Sequence, residues 1–274
     1  MRRRRLAAEF HRLRSESHRT LEEVASYLEC SPAKVSRIEN GQVALRIQDA
    51  RDLLDLYGVD ETQSSVLLQM VRQARGKGWW SGWADLLDES AQALLSLEDD
   101  ASSIFIYETN LVTALLQTRR YAWEMLATQT DRLELVQRRV DLRMARQRVL
   151  QRPGAPLLNV VLDEASLRRL VGSRDVMREQ CEYLMTADER LGISLRVLPF
   201  SAGAHQAMGF PFQIFEFASD EPQLVFVELL SSGQVLGVAE EVGRYRAAFN
   251  QVRERALSPG ESQHFLGELA KEFG

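Results

Sequence analysis

The segment from residue 20 to residue 41, TLEEVASYLECSPAKVSRIENG, constrains the fold more than any other part of the chain. Thr20 is a natural N-cap, and Glu23 three residues later predicts a capping box at the start of a helix. Apolar residues then recur at the helical spacing. Ser31 and Pro32 suit the N-cap and first residue of a second helix, because proline has no N–H to lose there. The segment therefore predicts two short helices joined by a tight turn.

The second predicted helix has an apolar face and a polar face. Val35 and Ile38 face inward, and the pair Asn40-Gly41 suits a left-handed C-terminal turn. The opposite face carries Ala33, Lys34, Ser36 and Arg37. This arrangement indicates a helix-turn-helix, and the alternative is an ordinary helical hairpin inside an enzyme.

The spacing of these residues is similar to that of the DNA-binding domain of the XRE (lambda-repressor-like) regulators. The positions that carry the resemblance are Thr20, Glu23, Val24, Ala25, Ser31, Val35, Ser36, Ile38, Glu39 and Gly41. The resemblance implies a five-helix bundle, and helical patterns at 2–17, 46–57 and 60–73 supply the other three helices. It also implies a structural ion pair between Arg14 and Glu39 across the bundle.

The same resemblance implies which side chains would contact DNA, because the second helix of this motif lies in the major groove. Ala33 and Arg37 would contact bases, and Arg37 suits the O6 and N7 atoms of guanine. Lys34 would reach a base or a phosphate. The expected phosphate contacts are Thr20, Ser36, Gln42 and Arg46. Leu21 stands where many relatives carry a phosphate-binding glutamine, so we expect no phosphate bond from that position.

Length and charge fit a two-domain protein whose N-terminal part meets DNA. A chain of 274 residues is long enough for two domains. The net charge is −5, but residues 1–76 carry 13 Lys and Arg against 11 Asp and Glu, which gives this part +2 and the remainder −7. The arginines Arg2–Arg5 form either an arm that contacts phosphates or the minor groove, or a solvated terminus.

Several classes of protein are disfavoured by what the sequence lacks. There is no run of about 18 apolar residues and no apolar core of a signal peptide, so we expect neither a membrane span nor export. Cys30 and Cys181 lie in different predicted domains without zinc-ligand spacing, which fits a reducing compartment. We expect no metal, no cofactor and a cytoplasmic, nucleoid-associated protein.

The domain boundary is predicted near Gly76, which gives domains at 1–76 and 77–274. Three tryptophans follow within a few residues: Trp79, Trp80 and Trp83. Such a cluster is either a binding patch, since aromatic residues are enriched at interfaces, or a packing element at the start of the second domain, which we favour.

The C-terminal domain is predicted to be α+β, with many helices around a small sheet. Helices are expected at 83–96, 119–128, 131–150, 163–171, 173–190 and 237–256, and from Ser258 onward. Strands are expected at 102–108, 157–162, 193–200, 210–217 and 223–230, with a turn at Asp220-Glu221-Pro222. The predicted fold class is mainly α with an α+β C-terminal domain.

Segments of this domain resemble the C-terminal domain of antitoxin-like XRE regulators of the WhiJ type. They include ETNLVTALLQTRRYAWEML, LRVLPFSAGAH and ALSPGES. Where those regulators have V-P-G-L-L-Q-T, this chain has VTALLQT at 112–118. The resemblance implies a transcriptional regulator, often paired with a small acidic partner protein.

No arrangement of residues in this domain supports catalysis. Ser201, His205 and Glu216 have the residue types of a triad, but they do not sit in a nucleophile-elbow pattern. Asp163 and Glu164 form a carboxylate pair without metal-ligand spacing, and we expect them to cap and charge a helix N-terminus. We expect His205 to be structural, with a ligand contact as the alternative.

The whole sequence predicts a sequence-specific DNA-binding repressor or activator. We expect a homodimer, because one recognition helix offers few base contacts, and we expect the C-terminal domain to carry the dimer contact and a regulatory site. Trp79, Trp80 and His205 are the candidate ligand or partner contacts. Two alternatives stay open: an antitoxin-like module that sequesters a small partner protein, and a sensor gated by a small-molecule effector.

Overall fold

The computed structural model divides into two compact units, Met1–Ser81 and Gly82–Gly274. Within the described residues, all strands belong to the second unit, and the fold class is mainly α with an α+β C-terminal domain, as predicted. The predicted boundary at Gly76 lies outside the described residues. Those residues are 2–41, 43, 45–60, 63–64, 67–68, 71, 78–186, 192–217, 222–230 and 232–274, with side chains from residue 6 onward.

The first unit is a bundle of helices around one apolar core. Its helices are α1 Arg2–Glu16, α2 Leu21–Tyr27, α3 Pro32–Glu39 and α4 Ile47–Leu56. The described residues between 63 and 71 are also helical, where the sequence predicts a fifth helix. Phe10, Val24, Val35 and Leu54 belong to the core, and each is at most 2% exposed. Each such side chain stabilises the bundle by about 1.5–3 kcal/mol.

The helices of the second unit mostly begin at side-chain caps. Asp88, Thr118 and Ser173 each accept a hydrogen bond from a backbone N–H in the first turn that follows. The α-helices are α5 Glu89–Asp100, α6 Arg119–Ala127, α7 Leu133–Arg146, α8 Glu164–Arg168, α9 Arg174–Met185, α10 Ala239–Arg255 and α11 Pro259–Glu272. One 3-10 segment, Trp79–Leu86, begins in the first unit and ends in the second, and others lie at Ala114–Leu116, Gln147–Gln151 and Phe200–Ala202.

Six strands form one mixed sheet in the order β3-β2-β1-β4-β5-β6. Their bounds are β1 Ala101–Glu108, β2 Leu157–Asp163, β3 Ile193–Leu198, β4 Phe212–Phe217, β5 Leu224–Glu228 and β6 Gly233–Leu236. β1, β2 and β3 are parallel, whereas β4 is antiparallel to β1. After β3 the chain crosses to the other side of β1. The place between β1 and β4 is therefore a topological switch point, where open α/β sheets bind ligands at the carboxyl ends of their strands.

The two faces of the sheet meet different helices. On one face, Tyr107 and Ile214 pack with Phe249 of α10. Side chains alternate along a strand, so Glu108 projects from the opposite face. There, Arg146 of α7 lies close enough to act on the charge of Glu108.

The outer edge of β3 is closed by the corner between α10 and α11. The Val197 N–H donates to Ser262 Oγ at 3.0 Å, and the Val197 carbonyl accepts from the Leu257 N–H at 2.9 Å. Ser258 and Glu261 form a capping box that starts α11 at this corner, as the sequence predicts.

One predicted helix is wrong, one strand is not predicted, and one predicted turn falls partly outside the described residues. The helix predicted at 83–96 is two elements, because Trp83 has non-helical backbone angles and Asp88 caps a new helix. The sequence does not predict β6, since four residues that include Gly233 are too short to show alternation. In the turn predicted before Pro222, residues 220 and 221 lie outside the described part of the chain.

Candidate nucleic-acid interface

Local hydrogen bonds fix the turn between α2 and α3. Thr20 Oγ1 accepts from the Glu23 N–H at 3.2 Å, and the Glu23 carboxylate accepts from the Thr20 N–H at 2.9 Å, which completes the predicted capping box. After α2, Glu29 adopts a φ of 49°, and the Cys30 N–H donates to the Ala25 carbonyl at 2.8 Å. The chain thereby reverses within residues 28–31 and starts α3 in a fixed direction.

α3 presents one face to the core and the other to solvent. Ser31 Oγ caps its first turn. Val35 and Ile38 are buried in the core of the bundle. Ala33 and Arg37 are exposed on the other side. The two residues predicted to contact bases are therefore both accessible, on a helix that is held from behind by its apolar face.

Arg37 is the exposed cation of α3. Among the described residues, its guanidinium makes no hydrogen bond and no ion pair. All of its N–H donors are free to meet the paired acceptors on the major-groove edge of guanine. No bond within the described bundle has to break before this side chain binds DNA.

Lys34 is more constrained than Arg37. Its ammonium donates to Asp49 Oδ2 of α4 at 3.3 Å, and its side chain is 31% exposed. Ser36 is half-buried, and its Oγ accepts from Asn40 Nδ2 at 3.3 Å. Sequence reasoning missed Asp49, because a contact between α3 and α4 depends on how the two helices pack.

Two of the predicted phosphate contacts lie at the starts of helices. Thr20 precedes α2 and Arg46 precedes α4, and both are exposed. Arg46 makes no side-chain cap, so its guanidinium is not used in starting α4. Free N–H groups at helix starts, together with such side chains, favour phosphate binding. Gln42 and the side chains of Arg2–Arg5 lie outside the described residues.

The ion pair implied by the family resemblance ties α1 to α3. Arg14 Nε donates to Glu39 Oε1 at 2.7 Å and Arg14 Nη2 donates to Glu39 Oε2 at 3.0 Å. Arg14 Nη1 also donates to the Arg19 carbonyl at 2.8 Å. Burial, followed by the charge of Glu39, raises the pKa of the nearby Tyr57 hydroxyl. Sequence reasoning missed His11, whose Nδ1 lies 2.9 Å from Glu39 Oε2, although it sits three residues before Arg14 on the same helix.

The candidate ligand contacts outside α3 have partners of their own. The rings of Trp79 and Trp80 pack edge to face, with centroids 5.6 Å apart. His205 Nε2 lies 3.2 Å from the Tyr107 hydroxyl, and burial lowers the pKa of His205. The Tyr107 hydroxyl in turn lies 3.5 Å from Asp163 Oδ2. His205, Tyr107 and Asp163 therefore form a chain of hydrogen bonds near the ends of β1 and β2.

The structure does not bring Ser201, His205 and Glu216 together as a triad. Glu216 Oε1 accepts from Arg246 Nη2 at 2.5 Å, on the α10 side of the sheet, and His205 pairs with Tyr107 instead.

Within the described ranges, no three His, Cys, Asp or Glu side chains are grouped so that they could hold a metal ion. No described helix is both long enough and apolar enough to cross a lipid bilayer.

Comparisons with known proteins identify the domain type of the first unit and the family of the second. Residues 5–67 match a helix-turn-helix domain, which indicates a DNA-binding regulator. No curated protein and no solved structure matches the chain. Residues 91–268, more than half of the chain, match the domain of unknown function DUF5753. The chain belongs to the DUF5753 family and carries a helix-turn-helix domain ahead of the domain that defines it.

Proposed function

We propose that this protein regulates transcription by binding specific DNA sequences, with α3 in the major groove. The helix-turn-helix domain supports duplex DNA as the partner. The observation that carries the proposal is the exposed Arg37, which has no partner among the described residues of the bundle. Behind it, Val35 and Ile38 anchor α3 in the core, so the guanidinium is presented from a rigid helix.

Each side chain of the interface has a role that follows from its chemistry. Arg37 would donate to O6 and N7 of guanine, and Ala33, one turn earlier, would contact a thymine methyl group. Lys34 would exchange its bond to Asp49 for one to a phosphate or a base. The proposed phosphate contacts, which set the position of α3 but read no sequence, are Thr20, Ser36 and Arg46.

We propose further that two copies act together on paired half-sites. One α3 with a single arginine reader distinguishes few base pairs, and pairing two copies multiplies the discrimination. The C-terminal domain is the proposed carrier of the dimer contact and of control by an effector or a partner protein. The resemblance to WhiJ-type regulators supports the partner-protein part of this proposal.

The test begins with selection of bound duplexes from a random DNA pool. Fluorescence anisotropy then compares the affinity for the selected duplex with that for a scrambled duplex at near-physiological salt. Arg37→Ala should reduce this preference by about 1–3 kcal/mol for each guanine that the arginine reads, while circular dichroism stays unchanged. A pool that yields no enriched sequence would contradict specific binding.

Arg51→Ala is the matched control. Arg51 is an exposed arginine of α4, so its removal changes the charge of the domain by the same amount. Both variants should bind the scrambled duplex somewhat more weakly, because each removes one cation. Only Arg37→Ala should lose the preference for the selected duplex. A retained preference in Arg37→Ala would show that other residues read the bases.

A further inference from the structure

Polar residues interrupt one face of the sheet at the topological switch point. Glu108 ends β1, Gln213 is the second residue of β4, and Glu228 ends β5. The register pairs Ile106 with Gln213, and Gln213 with Phe226, so the three polar side chains share one face. β5 runs in the same direction as β1. The side chains of Glu108, Gln213 and Glu228 therefore also lie at the same edge of the sheet, the one at which β1, β2 and β3 have their carboxyl ends.

Several buried atoms at this edge lack hydrogen-bond partners. The hydroxyls of Thr109 and Thr113, in the segment that directly follows Glu108, and the Gln213 Oε1 atom have none among the described residues. Their side chains are 7%, 1% and 7% exposed. An unpaired buried polar atom costs roughly 1–3 kcal/mol, so each of these three atoms is open to a hydrogen-bonding partner.

Arg143 of α7 is a cation without an anion in contact. Its Nη1 donates to Gln117 Oε1 at 2.8 Å, and it makes no ion pair with a described carboxylate. Burial and the like charge of Arg146 lower the pKa of Arg143 to about 10. Arg146 itself is satisfied by two hydrogen bonds to Glu98. The Nε and Nη2 atoms of Arg143 donate to no described residue. An arginine can bind a carboxylate through two parallel hydrogen bonds from such a pair of N–H groups.

Glu108 is a carboxyl group without a partner in contact. It is half-buried and makes no hydrogen bond or ion pair with any described side chain. Burial and the negative charge of Glu228 raise the pKa of Glu108 to about 8. Arg143 is close enough to lower that pKa, yet no ion-pair contact within 4 Å joins the two side chains. A carboxyl group without a partner and a cation without an anion therefore lie near each other at this edge of the sheet.

We infer that Glu108, Thr109, Thr113, Arg143, Gln213 and Glu228 line a crevice at the switch point that binds a small zwitterion of the amino-acid type. The ligand carboxylate would lie on Arg143, and its ammonium group would lie between Glu108 and Glu228. An ammonium has three donors, which suits two carboxylates and the free Gln213 Oε1. A ligand with both charges supplies an anion for Arg143 and a donor for the carboxyl groups, whereas an ion of one sign leaves one of these partners unpaired.

Binding of an amino acid would give the C-terminal domain a ligand of its own, separate from DNA reading by α3. It is tested with the full chain by calorimetric titration and thermal shift against each of the twenty free amino acids. Propylamine and propionate, which each carry only one of the two charges, serve as ligand controls. At least one amino acid should bind and raise the melting temperature, and the two singly charged compounds should not.

The variants decide whether binding occurs in the crevice. Glu108→Gln and Arg143→Lys should each weaken the binding of that amino acid by at least tenfold. The first removes a carboxyl group that can ionise beside the ligand ammonium, and the second removes the guanidinium fork. Arg120→Lys is the control, since Arg120 forms an exposed ion pair with Glu179 on the surface. It should leave the affinity unchanged.

Two results would overturn the inference. One is that none of the twenty amino acids binds the folded wild-type chain. The other is that both crevice variants, with wild-type circular dichroism, retain wild-type affinity. Neither result bears on DNA reading, because the Arg37 test measures the preference between two duplexes and does not involve the crevice.

Discussion

Arg14 and Glu39 join the first and third helices of the bundle through two parallel hydrogen bonds, at 2.7 and 3.0 Å. Their side chains are 13% and 7% exposed, so the pair is shielded from water by the helices that it connects. Glu39 is the last residue of α3, and the pair therefore fixes the C-terminal end of the helix proposed to read DNA. In such a buried pair, the cost of removing both charges from water offsets much of their mutual attraction. The pair therefore fixes the orientation of the helices more than it stabilises the fold.

Removing one partner of this pair should cost more than removing both. Glu39→Ala leaves the Arg14 guanidinium short of its anion, and we expect the free energy of unfolding of the first unit to fall by about 2–4 kcal/mol. The double variant Arg14→Ala/Glu39→Ala should recover part of that loss. Calorimetric unfolding of the full chain measures both, and additive losses would contradict a coupled pair.

Releasing Lys34 should strengthen DNA binding. Asp49→Asn removes the carboxylate that accepts from Lys34, so the ammonium becomes available to phosphates. We expect tighter binding to any duplex and a dependence on salt that is steeper by about one ion. Asp55→Asn is the control, because Asp55 is an exposed carboxylate of the same helix. An equal gain in DNA affinity in both variants would show that the effect comes from the change in net charge alone.

The turn before α3 should tolerate glycine better than its present residue. Glu29 has a φ of 49°, a conformation that costs a side chain with a Cβ about 1 kcal/mol or more. We therefore expect Glu29→Gly to raise the melting temperature of the first unit. Glu22→Gly makes the same exchange within α2 and should lower the melting temperature. A fall in both variants would show that Glu29 makes a compensating contact.

The stability of the second unit should depend on the protonation of Glu108. Its pKa rises from the ordinary value of 4.5 to about 8 in the folded chain, so the folded state binds the proton more tightly than the unfolded state. The contribution of this group is fully favourable below about pH 4.5 and is lost as the pH rises through 8. Glu108→Gln mimics the protonated form and should remove this loss. Melting temperatures of both proteins across pH 5 to 9, at about one-unit steps, check the slope, and parallel curves would contradict it.

The local structure of the first unit follows from the sequence with little ambiguity. Thr20 with Glu23, and Ser31 with Pro32, are caps whose function depends only on residues a few positions away. The structure confirms both. The ion pair of Arg14 with Glu39 is implied by resemblance alone, since residues 25 positions apart carry no local signal of contact.

The interactions that set the electrostatics of each unit could not be predicted in this way. Lys34 meets Asp49 only because α3 and α4 pack in one particular register. Glu108, Gln213 and Glu228 come from three separate strands, and their meeting requires the strand order and the switch between β1 and β4. Pairing between distant strands depends on the whole chain, whereas caps and turns depend on a few neighbouring residues.

The corner that follows α10 limits how sheets of neighbouring molecules can join. Val197 has its outward N–H and carbonyl bonded to Ser262 and Leu257 of its own chain. A strand from another molecule would have to displace both bonds before it could add to the sheet at this position. Self-association through β3 is thereby discouraged, and this margin of the domain is protected against fibre-like stacking.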